Sequence, residues 1–184
     1  MGIYSLILRY VASHSLSSNI SHFRHGADII DAMIITDEGA TTMSREFSLR
    51  PARPDDRDAL FPIARDFATS FEVELSPFAE NLSHLLQDAS AWLWVAEADG
   101  VLIGYLLGFD HFTFFANGRV SWVEEVTVIE PWRREGVGAA LMSAFESWAK
   151  ERGSRLVALA TRRAAPFYTA LGYEESAIYF RRLL

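Results

Sequence analysis

The stretch that most constrains this chain is residues 122–141, where a strand pattern passes through a glycine-bearing loop into a helix pattern. Alternating side chains up to Ile129 predict a strand. Pro131 ends that strand, because proline cannot donate a hydrogen bond to a sheet. The motif Arg133-x-x-Gly136-x-Gly138 follows, and the apolar residues after it recur at helical spacing. The stretch is therefore predicted to be a strand, a loop and an amphipathic helix.

This arrangement is suited to binding an anion. The first N–H groups of a helix lack an intrahelical partner, and the helix dipole places a partial positive charge there. Glycines let the backbone approach a ligand closely. Backbone amides, helped by the charges of Arg133 and Arg134, would cradle a phosphate or pyrophosphate. The predicted amide donors are those of Arg134, Glu135, Gly136, Val137, Gly138 and Ala139.

Three kinds of phosphate loop can be compared with this one. A P-loop needs Gly-Lys-Ser/Thr, which is missing here, and a dinucleotide-binding loop needs a third glycine where Leu141 stands. The loop that follows a strand carrying Glu124 and Glu125 resembles the coenzyme-A loop of the GNAT superfamily of acyl-CoA-dependent N-acetyltransferases. Taken alone, the motif also fits a plain glycine-containing turn between strand and helix.

Composition narrows the class of protein. The chain has 184 residues, 50% of them hydrophobic, a net charge of −7 and no cysteine. These values fit one globular domain and argue against non-specific nucleic-acid binding and a thiolate metal site. No apolar run approaches the roughly 20 residues that span a bilayer, and no signal-peptide pattern opens the chain. We therefore expect a cytoplasmic protein without a nucleic-acid or membrane partner.

Residues 1–44 are the least informative part of the sequence. Their serine-rich and loop-like composition predicts a poorly ordered N-terminal extension to a domain formed by residues 45–184. His22, His25 and Asp28 could be drawn as metal ligands, but a polar tail is the preferred interpretation, and no metal is expected. Met43 stands directly before the domain pattern, so a chain beginning there is expected to fold.

The remaining patterns predict an alternation of strands and helices. Hairpin turns are expected at Asp99-Gly100 and at Ala116-Asn117-Gly118. The near-continuous apolar run at 155–161 predicts a strand buried on both faces. The predicted strands are 46–52, 91–98, 101 to about 115, 120–129, 155–161 and 173–184; the predicted helices are 54–67, 77–88, the central helix after Gly138 and 167–171. This order predicts an α/β domain around one mixed sheet.

The same order is that of the GNAT fold, and the resemblance covers residues 46–184. Further similar strings are Leu49-Arg-Pro-Ala, Asp99-Gly-Val-Leu-Ile-Gly-Tyr and Pro166-Phe-Tyr-Thr-Ala-Leu-Gly-Tyr. The resemblance implies a mixed central sheet with a splayed strand pair, flanked by helices, and acetyl-CoA as co-substrate in the opening. The coenzyme contacts it implies, besides the loop, are Val126, Thr127, Val128, Thr161 and Phe167. Many members carry Asn where this chain has Thr161.

The resemblance also implies N-acetyl transfer to a primary amine of a small molecule. Glu124 is the preferred general base, because it alternates with Val126 and Val128; Glu125 is a second candidate or a substrate anchor. Tyr168 is the implied general acid. The alternative for at least one of the two glutamates is a solvated or salt-bridged strand residue. The alternative for Tyr168 is a tyrosine packed on its helix with its hydroxyl already hydrogen-bonded.

The sequence says less about the identity of the acceptor molecule. Acidic and aromatic residues in the regions that shape the acceptor pocket in this family suit an amine with an apolar body. The implied substrate contacts are Phe71, Glu72, Glu74, Phe78 and His111. Ordinary packing is the alternative for the aromatic residues. Acetylation of a protein N-terminus or lysine, and a non-catalytic acyl-CoA sensor, are the competing functions, and a homodimer is compatible with the resemblance.

Overall fold

The predicted alternation forms a five-stranded sheet with four α-helices in residues 45–183, which are the residues described by the structure, a computed structural model. The strands are β1 (Ser48–Pro51), β2 (Ala91–Ala98), β3 (Val101–Thr113), β4 (Gly118–Val128) and β5 (Ser154–Leu159). The helices are α1 (Arg57–Phe67), α2 (Leu75–Gln87), α3 (Val137–Glu151) and α4 (Ala165–Ala170). The predicted extension and its histidine pair lie outside the described residues.

Neighbours in sequence are neighbours in the sheet, whose order is β1-β2-β3-β4-β5. The first four strands are antiparallel, and β5 runs parallel to β4 after the crossover through α3. Both predicted hairpin turns are present, with positive φ at Asp99 (50°), Gly100 (77°) and Asn117 (51°). A mixed sheet flanked by helices confirms the predicted α/β class.

Each face of the sheet has its own apolar core. On one face, α3 packs Leu141, Met142 and Phe145 against β3 and β4. On the other face, α1 and α2 contribute Leu60 and Leu82 to a second cluster. The two clusters make three layers, helix on sheet on helix. In residues 45–183, no helix has the length and apolar character needed to cross a bilayer.

Two sequence-based predictions about the end of the chain are wrong. β5 is an edge strand with Leu156 43% exposed, so it is not buried on both faces. Residues 173–183, predicted as a final strand, form no strand. Every side chain from 174 to 183 is exposed, so no face of this segment has a core to pack against. Side-chain hydrogen bonds tie it instead to α3 and to the α1–α2 loop.

Candidate active site

A β-bulge in β4 determines which glutamate faces which side of the sheet. Gly108 of β3 lies opposite Val123, whereas Leu107 lies opposite Glu125, which leaves Glu124 without a cross-strand partner. The extra residue reverses the alternation, so Val123 and Val126 both join the core beneath α3. Glu124 is exposed and Glu125 is half-buried. Because of this bulge, simple alternation along β4 does not decide between Glu124 and Glu125.

Glu125 is held by a tyrosine on the neighbouring strand. The Tyr105 hydroxyl donates a hydrogen bond of 2.6 Å to Oε2 of Glu125, and Tyr105 is only 2% exposed. Burial raises the pKa of Glu125, the hydrogen bond from Tyr105 lowers it, and the nearby charge of Glu124 raises it. Burial, with the charge of Glu125, also raises the pKa of Tyr105. The phenol therefore stays protonated and remains the donor.

Tyr105 is not among the residues predicted from the sequence, although the sequence contains a signal for it. Counting an unbroken ladder outward from the turn at Gly118 pairs Tyr105 with Val126 and places it beside Glu124. The observed register pairs Tyr105 with Thr127, and the bulge thereby brings it beside Glu125. The count would have shown that this tyrosine faces a glutamate, but it would have selected Glu124 instead of Glu125.

Strands β4 and β5 diverge beside Glu125. Their pairing runs from Arg119 with Ser154 to Val123 with Leu159, and β4 then continues to Val128 without β5. The outer backbone edge of residues 124–128 is thus open to an extended ligand, which could add to it as a strand would. Val126, Thr127 and Val128, which the resemblance implies as coenzyme contacts, lie in this part of β4.

Thr161 lies just beyond β5, at the mouth of the same opening. Its Oγ1 accepts a hydrogen bond of 3.1 Å from the Ala164 N–H, which closes the turn leading into α4. The hydroxyl therefore has a structural role in this turn, and a contact with a ligand would use its remaining hydrogen-bonding capacity.

The glycine-bearing loop continues from the end of β4. Arg133 donates from Nε to the Val128 carbonyl (3.1 Å), which fixes the loop against the strand. Arg134 and Gly136 have positive φ values of 67° and 82°. The first hydrogen bond of α3 runs from the Ala140 N–H to the Gly136 carbonyl, so the amides of residues 134–139 precede the helical ladder. These donors at a helix N-terminus suit a phosphate or pyrophosphate group.

α4 covers the start of α3 and presents Tyr168 to the opening. A Cβ on Gly138 would lie 3.3 Å from Phe167 Cζ, so the missing side chain lets this ring lie on the first turn of α3. Tyr168 packs edge-on against Phe167 and Tyr173, with ring centroids 5.0 and 5.9 Å apart. Tyr168 and Glu125 line the same cleft. Burial raises the pKa of Tyr168, so its hydroxyl carries a proton at neutral pH.

The cleft has a volume of about 2160 Å³, larger than the roughly 300–1,000 Å³ of common small-ligand pockets, so two reactants fit in it together. Four of the five predicted substrate contacts line it: Phe71, Glu72, Glu74 and Phe78. Phe78 also packs edge-on against Phe61, with centroids 5.4 Å apart, so part of its surface belongs to the core.

His111 is the predicted contact that the fold does not bring to the cleft. It lies six residues along β3 from Tyr105, roughly 20 Å away at strand spacing. That end of the β3–β4 hairpin is held by Asp110, whose buried carboxylate pairs with Arg119 (2.9 Å) and Arg152 (2.6 Å). These ion pairs stabilise the hairpin end that carries the exposed His111.

The C-terminal segment supplies a wall that the sequence analysis did not foresee, because this segment was predicted as a strand. Glu174, Glu175 and Tyr179 line the cleft. Arg181 donates from Nη1 to Ser70 Oγ (2.9 Å), which joins this wall to the α1–α2 loop. No pattern in the segment indicated that it would turn away from β5.

Comparisons with known proteins agree with this geometry. A sequence model described as the acetyltransferase (GNAT) family matches residues 57–173. The aminoglycoside N(6')-acetyltransferase type 1 of Stenotrophomonas maltophilia is 31% identical over 112 residues, which are 55% of this chain and 73% of that protein. The aminoalkylphosphonate N-acetyltransferase of Salmonella typhimurium is 24% identical over 140 residues, 74% of this chain and 90% of that protein. Glucosamine-6-phosphate N-acetyltransferase from Arabidopsis thaliana shares the fold, with a TM-score of 0.68 over 76% of this chain and 99% of that chain at 16% identity.

Proposed function

The chain belongs to the acetyltransferase (GNAT) family, and from that premise we propose that it transfers the acetyl group of acetyl-CoA to a primary amine of a small molecule. Members of this family use acetyl-CoA as co-substrate, and the open edge of β4 beside the Arg133–Gly138 loop fits an extended chain that ends in a pyrophosphate. The observation that carries the proposal is the half-buried carboxylate of Glu125 in the cleft beside that edge.

Glu125 is proposed as the general base. A primary alkylamine with a pKa near 10 is only about one part in a thousand neutral at pH 7, a penalty of roughly 4 kcal/mol. A carboxylate that takes the ammonium proton, directly or through water, removes this penalty at the reaction site. Partial burial supports Glu125 over the exposed Glu124, because burial raises the pKa of Glu125 toward the working range of a base.

Tyr168 is proposed as the general acid. The neutral amine attacks the thioester carbonyl carbon, and the carbon–sulfur bond breaks as the amide forms. Glu125 passes the ammonium proton on to water before the attack and then accepts the second proton that the nitrogen loses as the amide forms. The leaving thiolate takes a proton from the Tyr168 hydroxyl, which regains one from water after release. The backbone N–H of Val126, at the open edge of β4, is the proposed donor to the carbonyl oxygen during attack.

A cationic small molecule is the proposed acceptor. The cleft that holds Glu125 is also lined by the carboxylates of Glu72, Glu74, Glu174 and Glu175 and by the aromatic ring of Phe71, which suits a cation. The names of the two relatives describe acetylation of aminoglycosides and aminoalkylphosphonates, both amine-bearing small molecules. A protein N-terminus and a non-catalytic acyl-CoA sensor are the competing functions; cytoplasmic location and a homodimer stay predictions.

The test is thiol release from acetyl-CoA with five acceptors: spermidine, kanamycin, 2-aminoethylphosphonate, lysine and an alanine-initiated tripeptide. Glu125→Gln is expected to lower kcat/KM by roughly 100-fold or more, the usual scale of a lost general base. Glu124→Gln is the matched control, since it makes the same change one residue away, and it is expected to stay within about threefold of the wild type.

A large loss of kcat/KM in Glu124→Gln with little loss in Glu125→Gln would assign the role of base to Glu124 instead. Release with the tripeptide alone would favour a protein acceptor. Binding of acetyl-CoA without release by any acceptor would favour the sensor.

A further inference from the structure

We propose that Tyr105 is a positioning residue of this reaction: its hydroxyl fixes Oε2 of Glu125, so that Oε1 is presented to the acceptor amine. This inference rests on the proposed function, because it assigns a partner to the proposed base. It is carried by the hydrogen bond of 2.6 Å between the two side chains and by the burial of the tyrosine.

Tyr105 is well suited to hold another side chain still. Its ring belongs to the core beneath α1 and α2, and Phe67 packs edge-on against it with centroids 6.5 Å apart. Tyr105 is paired with Thr127, and Leu107 with Glu125, so the hydroxyl reaches diagonally along one face of the sheet. A phenol locked by packing can fix the rotamer of a flexible glutamate, which an exposed hydroxyl could not do.

The bond also has a chemical consequence. A hydroxyl that donates to a carboxylate stabilises the ionised form, which is the form a general base needs. Burial acts in the opposite direction at Glu125. Without the Tyr105 hydroxyl, nothing from this bond would offset the rise in the pKa of Glu125 that burial causes. A larger fraction of the enzyme would then carry a protonated Glu125 at neutral pH.

Other ionisable groups share the cleft. The carboxylates are Glu72 and Glu74 from the α1–α2 side, Glu124 on β4, and Glu174 and Glu175 from the C-terminal segment. The other groups are His84 on α2, Arg162 and Arg163 after β5, Tyr168 on α4, and Tyr173 and Arg181 in the C-terminal segment. Of these groups, Tyr105 lowers the pKa of Glu125 through its hydrogen bond, and Glu124 raises it through its charge.

The experiment compares Tyr105→Phe with the wild type over pH 5.5–9.5, using the fastest of the five acceptors at saturating acetyl-CoA. The ratio of the two kcat/KM values removes the titration of the acceptor, which is common to both. The acid limb is expected to move up by about one pH unit or more, the scale of a hydrogen bond to a charged group. At pH values below the acid limb, kcat/KM of the variant should be roughly tenfold lower than that of the wild type. At high pH the two values should agree within about threefold.

Tyr173→Phe is the matched control. The Tyr173 hydroxyl also donates to a glutamate, Glu146 on α3 at 2.8 Å, so this variant loses a tyrosine–glutamate bond that does not involve Glu125. Its ratio to the wild type is expected to be constant with pH. A ratio for Tyr105→Phe that is equally constant would overturn the positioning role, since a packing defect slows the enzyme at every pH.

A second measurement does not depend on activity. The carboxyl carbon of Glu125, assigned by its loss in Glu125→Gln, can be titrated by ¹³C NMR in both proteins, and the same upward shift is expected in Tyr105→Phe. An unchanged midpoint would refute the inference while a slow Glu125→Gln still supported the base. A fast Glu125→Gln would instead remove the proposed base itself.

Discussion

At the scale of single residues, Tyr168 has the most direct test. It carries the α4 hydroxyl that lines the cleft, and burial keeps it protonated at neutral pH. If it protonates the leaving thiolate, Tyr168→Phe should lower kcat by roughly 10- to 1,000-fold, because only the leaving step loses its proton donor. The affinity for acetyl-CoA, measured by calorimetry, should stay within about threefold.

Two other results are informative at this residue. An unchanged kcat would remove the acid role from Tyr168. A parallel loss of acetyl-CoA affinity would mean that its contacts with Phe167 and Tyr173 matter more than its proton, since Phe167 lies on the first turn of α3 and Tyr173 is bonded to Glu146 further along that helix. The residue types of this site could be predicted from the sequence, whereas the pairing of Tyr105 with Glu125 could not.

At the scale of elements, β4 explains why the residue types could be predicted from the sequence and the pairing of Tyr105 with Glu125 could not. Its bounds and its turn follow from alternation and from Asn117-Gly118, which act locally. Its bulge depends on how β4 pairs with β3, and one extra residue barely changes the hydrophobic pattern. A shift of one residue nevertheless exchanges the two faces of a strand, so the choice between Glu124 and Glu125 could not be made from the sequence.

Gly108 is the residue of β3 beside this bulge, and its missing side chain is required there. A Cβ would lie 2.5 Å from two ring atoms of the fully buried Phe145 and 2.9 Å from the Trp122 carbonyl. Gly108→Ala should therefore cost about 1–3 kcal/mol of unfolding free energy, as overpacking does. Urea denaturation with an unchanged m-value measures this cost.

The control lies in the neighbouring strand. A Cβ on Gly118 meets only the Arg155 Cγ, at an ordinary 3.7 Å, so Gly118→Ala should stay within about 0.5 kcal/mol of the wild type. Equal losses in the two variants would show that the contact of Gly108 with Phe145 does not limit stability. A smaller loss at Gly108 than at Gly118 would contradict the packing described for this face of the sheet.

At the scale of the whole molecule, local patterns predicted the order of elements up to α4 but not the way the chain ends. An apolar run indicates burial, yet it does not state whether a strand is central or at an edge, and β5 is at the edge. A final strand was predicted over 173–184, but Ile178 and Phe180 are 82% and 86% exposed. Hydrogen bonds to Glu146 and Ser70, which are distant in sequence, hold this segment in place, and such contacts cannot be predicted from local sequence patterns.

The start of the domain gives the last prediction. A chain beginning at Met43 keeps both described cores, the cleft, the glycine-bearing loop and Arg45, whose guanidinium lies 3.6 Å from the centroid of the Trp132 ring and donates to the Pro131 carbonyl (2.6 Å). We expect it to fold and to bind coenzyme A as the full chain does. Coenzyme A at 100 times its Kd should add about 2.7 kcal/mol, or roughly 5–10 °C in Tm, to both.

Arg45→Ala in the shortened chain tests the boundary more finely. Arg45 supports the Pro131-Trp132 turn that leads into the loop, so its loss should lower the Tm of the free protein by a few degrees. The added stability from coenzyme A should persist, because the backbone amides of residues 134–139 remain. An insoluble chain from Met43, or one without the shift, would mean that residues 1–42 belong to the folded and binding unit.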